Sequence, residues 1–102
     1  MEPVYIYRAT LHRVIDGDTC VLDIDLGFYV FVGIHIRVRD LRCPEMRTPE
    51  GKVAAEKARQ ILSAATQLIV QSYHDQRSFE RWVADLWVDG VSFKTLMETP
   101  AV

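Results

Sequence analysis

Val14-Ile15-Asp16-Gly17-Asp18-Thr19-Cys20-Val21-Leu22-Asp23-Ile24-Asp25-Leu26 is the stretch from which the fold can be read. Asp16-Gly17 is a hairpin signal, because Gly tolerates positive φ and Asp stabilises a tight turn. After it the chain alternates. Cys20, Leu22, Ile24 and Leu26 fall on one face, and Val21, Asp23 and Asp25 on the other, as in a half-buried strand. Before it, residues 4–15 are rich in Val, Ile, Tyr and Leu and read as the partner strand. Gly27 turns the chain again. Residues 28–41 form a third β-rich run, expected to bend or bulge near Gly33, and Pro44 ends it.

Next comes a helix. Thr48 is a good N-cap and Pro49 suits the first helical position. Ala54, Ala58, Ile61, Leu62 and Ala65 then mark an apolar face at helical spacing, which predicts a helix over 49–66. Residues 68–74 and 82–88 read as two more strands with a polar loop between them. Asp89-Gly90 is a further turn, 92–98 a short helix, and Pro100 a stop. Five short strands with one helix between the third and fourth predict a mainly β protein with helices (α+β), a five-stranded OB-fold barrel. The 102 residues, 49% hydrophobic, suit a single domain over 1–102.

No apolar run approaches the roughly 20 residues of a membrane span, so no membrane association is expected. Met1-Glu2-Pro3-Val4 lacks the basic start of a signal peptide, and the expected setting is cytoplasmic. Cys20 and Cys43 have no metal-type spacing and are expected to be reduced and structural. His12, His35 and His74 are scattered, and none is expected to be catalytic. Of Trp82 and Trp87, at odd separation on one strand, one is expected to face the core and one the surface.

The net charge of −2 and pI near 5.9 do not mark a nucleic-acid binder. The distribution says more. From Arg37 to Arg59 there are seven basic residues against four acids, and nine of the twelve basic residues in the chain are Arg. Arg suits bidentate contacts to phosphate. The charged residues at turns and strand ends form a set: Asp16 and Asp18, Arg37, Glu45 in Cys43-Pro44-Glu45, and Arg81. Two acids can hold a divalent cation, arginines can clamp a phosphate, and a lone Glu can work on a water. Each piece also has a structural reading: Asp16-Gly17 as an ordinary turn, Glu45 as an exposed acid, Arg37 and Arg81 as surface arginines.

These residues carry a resemblance. Val14-Ile15-Asp16-Gly17-Asp18-Thr19 resembles the first motif of the staphylococcal nuclease family. Arg37 followed eight residues on by Glu45 is similar to its second motif, and Arg81, eight residues before Asp89-Gly90, stands where the third motif's arginine would be. Thr48-Pro49-Glu50-Gly51 and the Ala-rich run after it resemble the intervening stretch. The likeness covers about residues 8–97. It implies metal-dependent hydrolysis of single-stranded DNA or RNA with little sequence preference, by a monomer. Arg37, Glu45 and Arg81 would be catalytic. Asp18 would bind Ca²⁺ with the Cys43 carbonyl nearby and Asp16 acting through a water.

Two departures stand out. Three residues before the Glu, where the family has a second metal-binding Asp, this chain has Arg42, which should weaken or abolish Ca²⁺ binding. Asp40, two residues earlier, is the nearest substitute. The sequence also stops at Val102, before the family's base-stacking tyrosines. The competing reading is a nuclease-like OB domain that binds nucleic acid, or a protein partner, without cleaving it. A third is a structural OB domain with incidental charges.

Overall fold

A computed structural model describes residues 4–78 and 81–99, and of 74–78 and 81 it describes the backbone. Met1–Pro3, Pro100 and Val102, which entered the sequence reading, lie outside the described residues. Six strands and two helices follow in chain order: β1 (Ile6–Asp16), β2 (Thr19–Asp25), β3 (Phe31–Val38), α1 (Pro49–Ala64), β4 (Leu68–Ser78), β5 (Arg81–Val88), β6 (Val91–Ser92) and α2 (Phe93–Glu98). The sheet order is β3-β2-β1-β4-β5-β6. A parallel pairing of Ile36, Arg37 and Val38 with Trp82, Val83 and Ala84 joins β3 to β5 and closes a five-stranded barrel. The expected OB-like barrel, with its main helix between the third and fourth strands, is therefore present.

The alternation in β2 does what the pattern demands. Cys20, Leu22 and Ile24 enter a core shared with Ile36 and Val38 of β3, Leu68 and Val70 of β4, and Ala84, Leu86 and Val88 of β5. Ala58 and Leu62 of α1 close one side, and Phe93 of α2 adds a fully buried ring. Thr48 Oγ1 accepts the Gly51 N–H at 2.9 Å, so the expected N-cap is in place. The buried line of α1 is Gly51, Ala55, Ala58 and Leu62, turned slightly from the Ala54-centred face read in the sequence. No helix among the described residues is long and apolar enough to cross a membrane.

Three boundaries differ from expectation. The β2–β3 ladder runs without interruption from Thr19–Arg37 to Asp25–Phe31, so Gly33 is no bulge. Irregularities fall instead in the β4–β5 pairing, between Ser72 and Arg77, and in β1, between Leu11 and Arg13 and between Val14 and Asp16. There the strand must curl around the helix-covered side of the barrel, and a bulge raises local twist. The polar segment after Tyr73 continues β4 as far as Ser78 rather than forming a loop. Residues 28–30 belong to the β2–β3 connection, where Gly27, Phe28 and Tyr29 all take positive φ (81°, 55° and 59°).

Candidate functional site

At one end of the β2–β3 ladder, the Asp16–Asp18 turn meets the segment that leads from β3 into α1. Asp18 is 8% exposed and serves as the anchor. Its Oδ1 accepts the Thr19 hydroxyl at 3.0 Å, and its Oδ2 accepts the Cys43 N–H at 3.1 Å. The Arg37 guanidinium stands 4.0 Å from the same Oδ2. The Asp18 carbonyl accepts the Val38 N–H at 2.9 Å and so extends the β2–β3 pairing into the turn. Asp16 works in parallel: its Oδ1 accepts the Met46 N–H at 2.9 Å. Two carboxylates thus hold two successive parts of the 41–46 segment, and Glu45 lies between the residues they hold.

Packing fixes the same segment from the other side. The Glu45 carbonyl accepts both the Thr48 N–H at 3.0 Å and the Thr48 hydroxyl at 2.8 Å. Gly51, in the first turn of α1, lies so close that a Cβ there would overlap the Glu45 carbonyl. Gly17 is constrained less severely: a Cβ there would come within 2.9 Å of Ala54 Cβ and of Cys43 Cβ and Sγ. Burial raises the Cys43 thiol pKa first, and the nearby Asp18 and Asp16 charges raise it further, so this cysteine stays protonated and is a packing group. Cys20, buried, and Cys43 are both free, as the sequence implied.

Asp16, Asp18, Arg37 and the Cys43–Glu45 segment are therefore brought into one neighbourhood. The Glu45 carboxylate points to Arg47, with Oε2 2.7 Å from Nε, in an exposed pair worth at most about 1 kcal/mol. Arg81 heads β5, one residue before the Trp82–Ile36 pair that begins the barrel seam. Its side chain lies outside the described residues, as does that of His74. Arg42 is exposed. Asp40 is exposed, in the left-handed region at φ 60°, and its Oδ2 lies 3.9 Å from Arg39 Nε.

The donor set does not fit a resident Ca²⁺. That ion takes roughly six to eight oxygen ligands. Here both Asp18 oxygens and one Asp16 oxygen already accept protein hydrogen bonds, and Arg42 occupies the position of the further carboxylate. Among the described residues, no group of three His, Cys, Asp or Glu could hold a metal.

Two features escaped the sequence reading. Arg39, two residues beyond Arg37, belongs to a separate cluster on the outer face. Its Nη2 lies 3.4 Å from Asp85 Oδ2, its guanidinium stacks 4.6 Å from the Tyr73 ring centroid, and the Tyr73 hydroxyl donates to Asp85. That hydrogen bond is the main cause of the raised Tyr73 pKa. A spacing of two puts Arg39 on the same strand face as Arg37, but nothing in that spacing signals partners on β4 and β5. The second feature is an apolar cavity at the opposite end of the barrel. Trp82, on the inner face of β5, lines it and is 41% exposed. Trp87, on the other face, is half-buried.

Comparison with protein-family models finds no match to this chain, and comparison with curated proteins finds none either.

Proposed function

We propose that this protein hydrolyses phosphodiester bonds in single-stranded DNA or RNA with little sequence preference. One observation carries the reading: buried Asp18 ties the Cys43 N–H, and lies beside the Arg37 guanidinium, next to the segment that presents Glu45. In this reading Arg37 holds phosphate oxygens and stabilises the charge that builds on them during displacement. Asp18 keeps its guanidinium oriented. Glu45, once released from its exposed partner Arg47, orients or deprotonates the attacking water. Arg81 supplies a second phosphate contact. The resemblance implies Ca²⁺, which the donor set here does not fit, and the proposal routes no step through the ion. Contact through phosphate rather than base edges accounts for low sequence preference.

A second reading, binding without cleavage, draws on a different observation. Each Asp18 oxygen already accepts a protein donor and Glu45 is paired with Arg47, an arrangement that suits a basic phosphate-binding surface as well as a reactive one. One experiment separates them. Labelled single-stranded DNA and RNA are incubated with the protein, with Ca²⁺ or with a chelator, alongside Arg37→Ala and Glu45→Gln. Hydrolysis predicts cleavage by the parent, lowered on the order of 100-fold or more by Arg37→Ala and strongly reduced by Glu45→Gln. No cleavage under either condition, with salt-sensitive binding retained, sinks the enzyme reading and leaves the binding one.

A further inference from the structure

The barrel end away from the Asp16–Asp18 turn is open and apolar. A cavity of about 490 Å³ enters it, lined by Tyr5, Tyr7, Leu26, Val32, Tyr73 and Trp82 above a floor of core side chains. No lining residue carries a charge, and the polar side-chain groups are hydroxyls and an indole. The β2–β3 connection projects from the same end. Leu26 N–H to Val30 O and Val30 N–H to Gly27 O, both 2.9 Å, close it into a tight turn. Phe28 and Tyr29 form its tip at 97% and 96% exposure, both in the left-handed region that bulky residues rarely enter. Val4, Ile6, Val30 and Phe31 are exposed around them.

We propose that this end is a two-fold interface between two copies of the chain, with the Phe28–Tyr29 tip of each entering the cavity of the other. Projection and receptor occur on the same end of the same molecule, so a single two-fold axis engages both pairs at once. The area agrees. A fully exposed aromatic side chain offers about 200 Å², and the apolar groups at this end together offer on the order of 1,000 Å² per copy. That exceeds the few hundred Å² typical of a monomer's largest patch and matches the roughly 800 Å² each partner gives to a standard interface. The charge pattern argues against the obvious competitors. Nucleic acid and anionic lipid are recognised by clustered cations, and the cavity lining has none. Asp25, at the base of the tip, turns its carboxylate back onto the Gly27 N–H at 2.8 Å. The proposal departs from the monomer expected from the sequence and does not rest on the proposed hydrolysis.

Sedimentation velocity on the full chain, from low micromolar to several hundred micromolar, should show a concentration-dependent dimer. Phe28→Asn combined with Tyr29→Gly removes both rings and puts turn-favouring residues at the left-handed positions, so the chain should fold at least as well. This variant should weaken association by at least about 100-fold while keeping its thermal unfolding midpoint at low concentration. Val32→Glu, at the cavity mouth, tests the receptor side and should produce a comparable loss. A parent chain that is monomeric at every concentration overturns the proposal. So does a tip variant that dimerises as tightly as the parent, or a dimer indifferent to Val32→Glu.

Discussion

Asp18 illustrates how a residue type can indicate a place more clearly than a role. The Asp-Gly-Asp spacing pointed to a cation, yet the carboxylate accepts a hydroxyl and a backbone N–H and faces Arg37. Removing it should therefore destabilise the chain. Asp18→Ala leaves a buried N–H and a guanidinium without their acceptor and should cost about 2–4 kcal/mol in urea unfolding, with faster exchange at the Cys43 amide. A residue kept only for a metal would instead relieve repulsion when removed, and stability would rise. Cys20 allows a prediction with a defined sign. Burial pushes its pKa from 9.0 up to about 12. Above pH 9 the unfolded chain releases a proton that the folded chain retains. The stability is thus fully present below pH 9 and falls by about 1.4 kcal/mol per pH unit as pH rises towards 12. Urea unfolding on either side of pH 9 should show the parent losing stability relative to Cys20→Ala.

The elements were the legible level. β2 and α1 each carry a periodic apolar pattern and a local stop signal, Gly27 for one and the Thr48-Pro49 cap for the other, and both form where expected. What could not be read was set by partners distant in sequence. The bulges of β1 answer to the curvature of the closed barrel, and the length of β4 answers to its pairing with β5. The fate of the Glu45 carboxylate depends on Arg47, which has no periodic signature. The helix start and the Glu45 segment behave as one piece, because Thr48 and Gly51 both meet the Glu45 carbonyl. Thr48→Ala should cost about 1 kcal/mol as a lost cap. Gly51→Ala should cost more, about 3 kcal/mol or above, since backbone has to move. Chemical denaturation of both variants would check the order, and the reverse order would disprove the packing described.

At the scale of the whole molecule, a negative protein is proposed to hold a polyanion. The excess of basic residues between Arg37 and Arg59 lies in the end of β3, the segment after it and α1. Oligonucleotide binding should fall with salt, by a log–log slope of about −0.7 per phosphate contacted, and Arg37→Ala should make that slope shallower by about one contact. Fluorescence anisotropy titrations over a range of salt would measure it, and an unchanged slope would remove Arg37 from the contact surface. The barrel seam adds a mechanical consequence. It consists of three register pairs, and Arg37 forms the middle one with Val83. The proposed phosphate grip and the parting of the barrel therefore share a single degree of freedom: a change that loosens the seam slackens the grip, and a strand of nucleic acid bound across Arg37 would act as a stitch that holds the barrel shut.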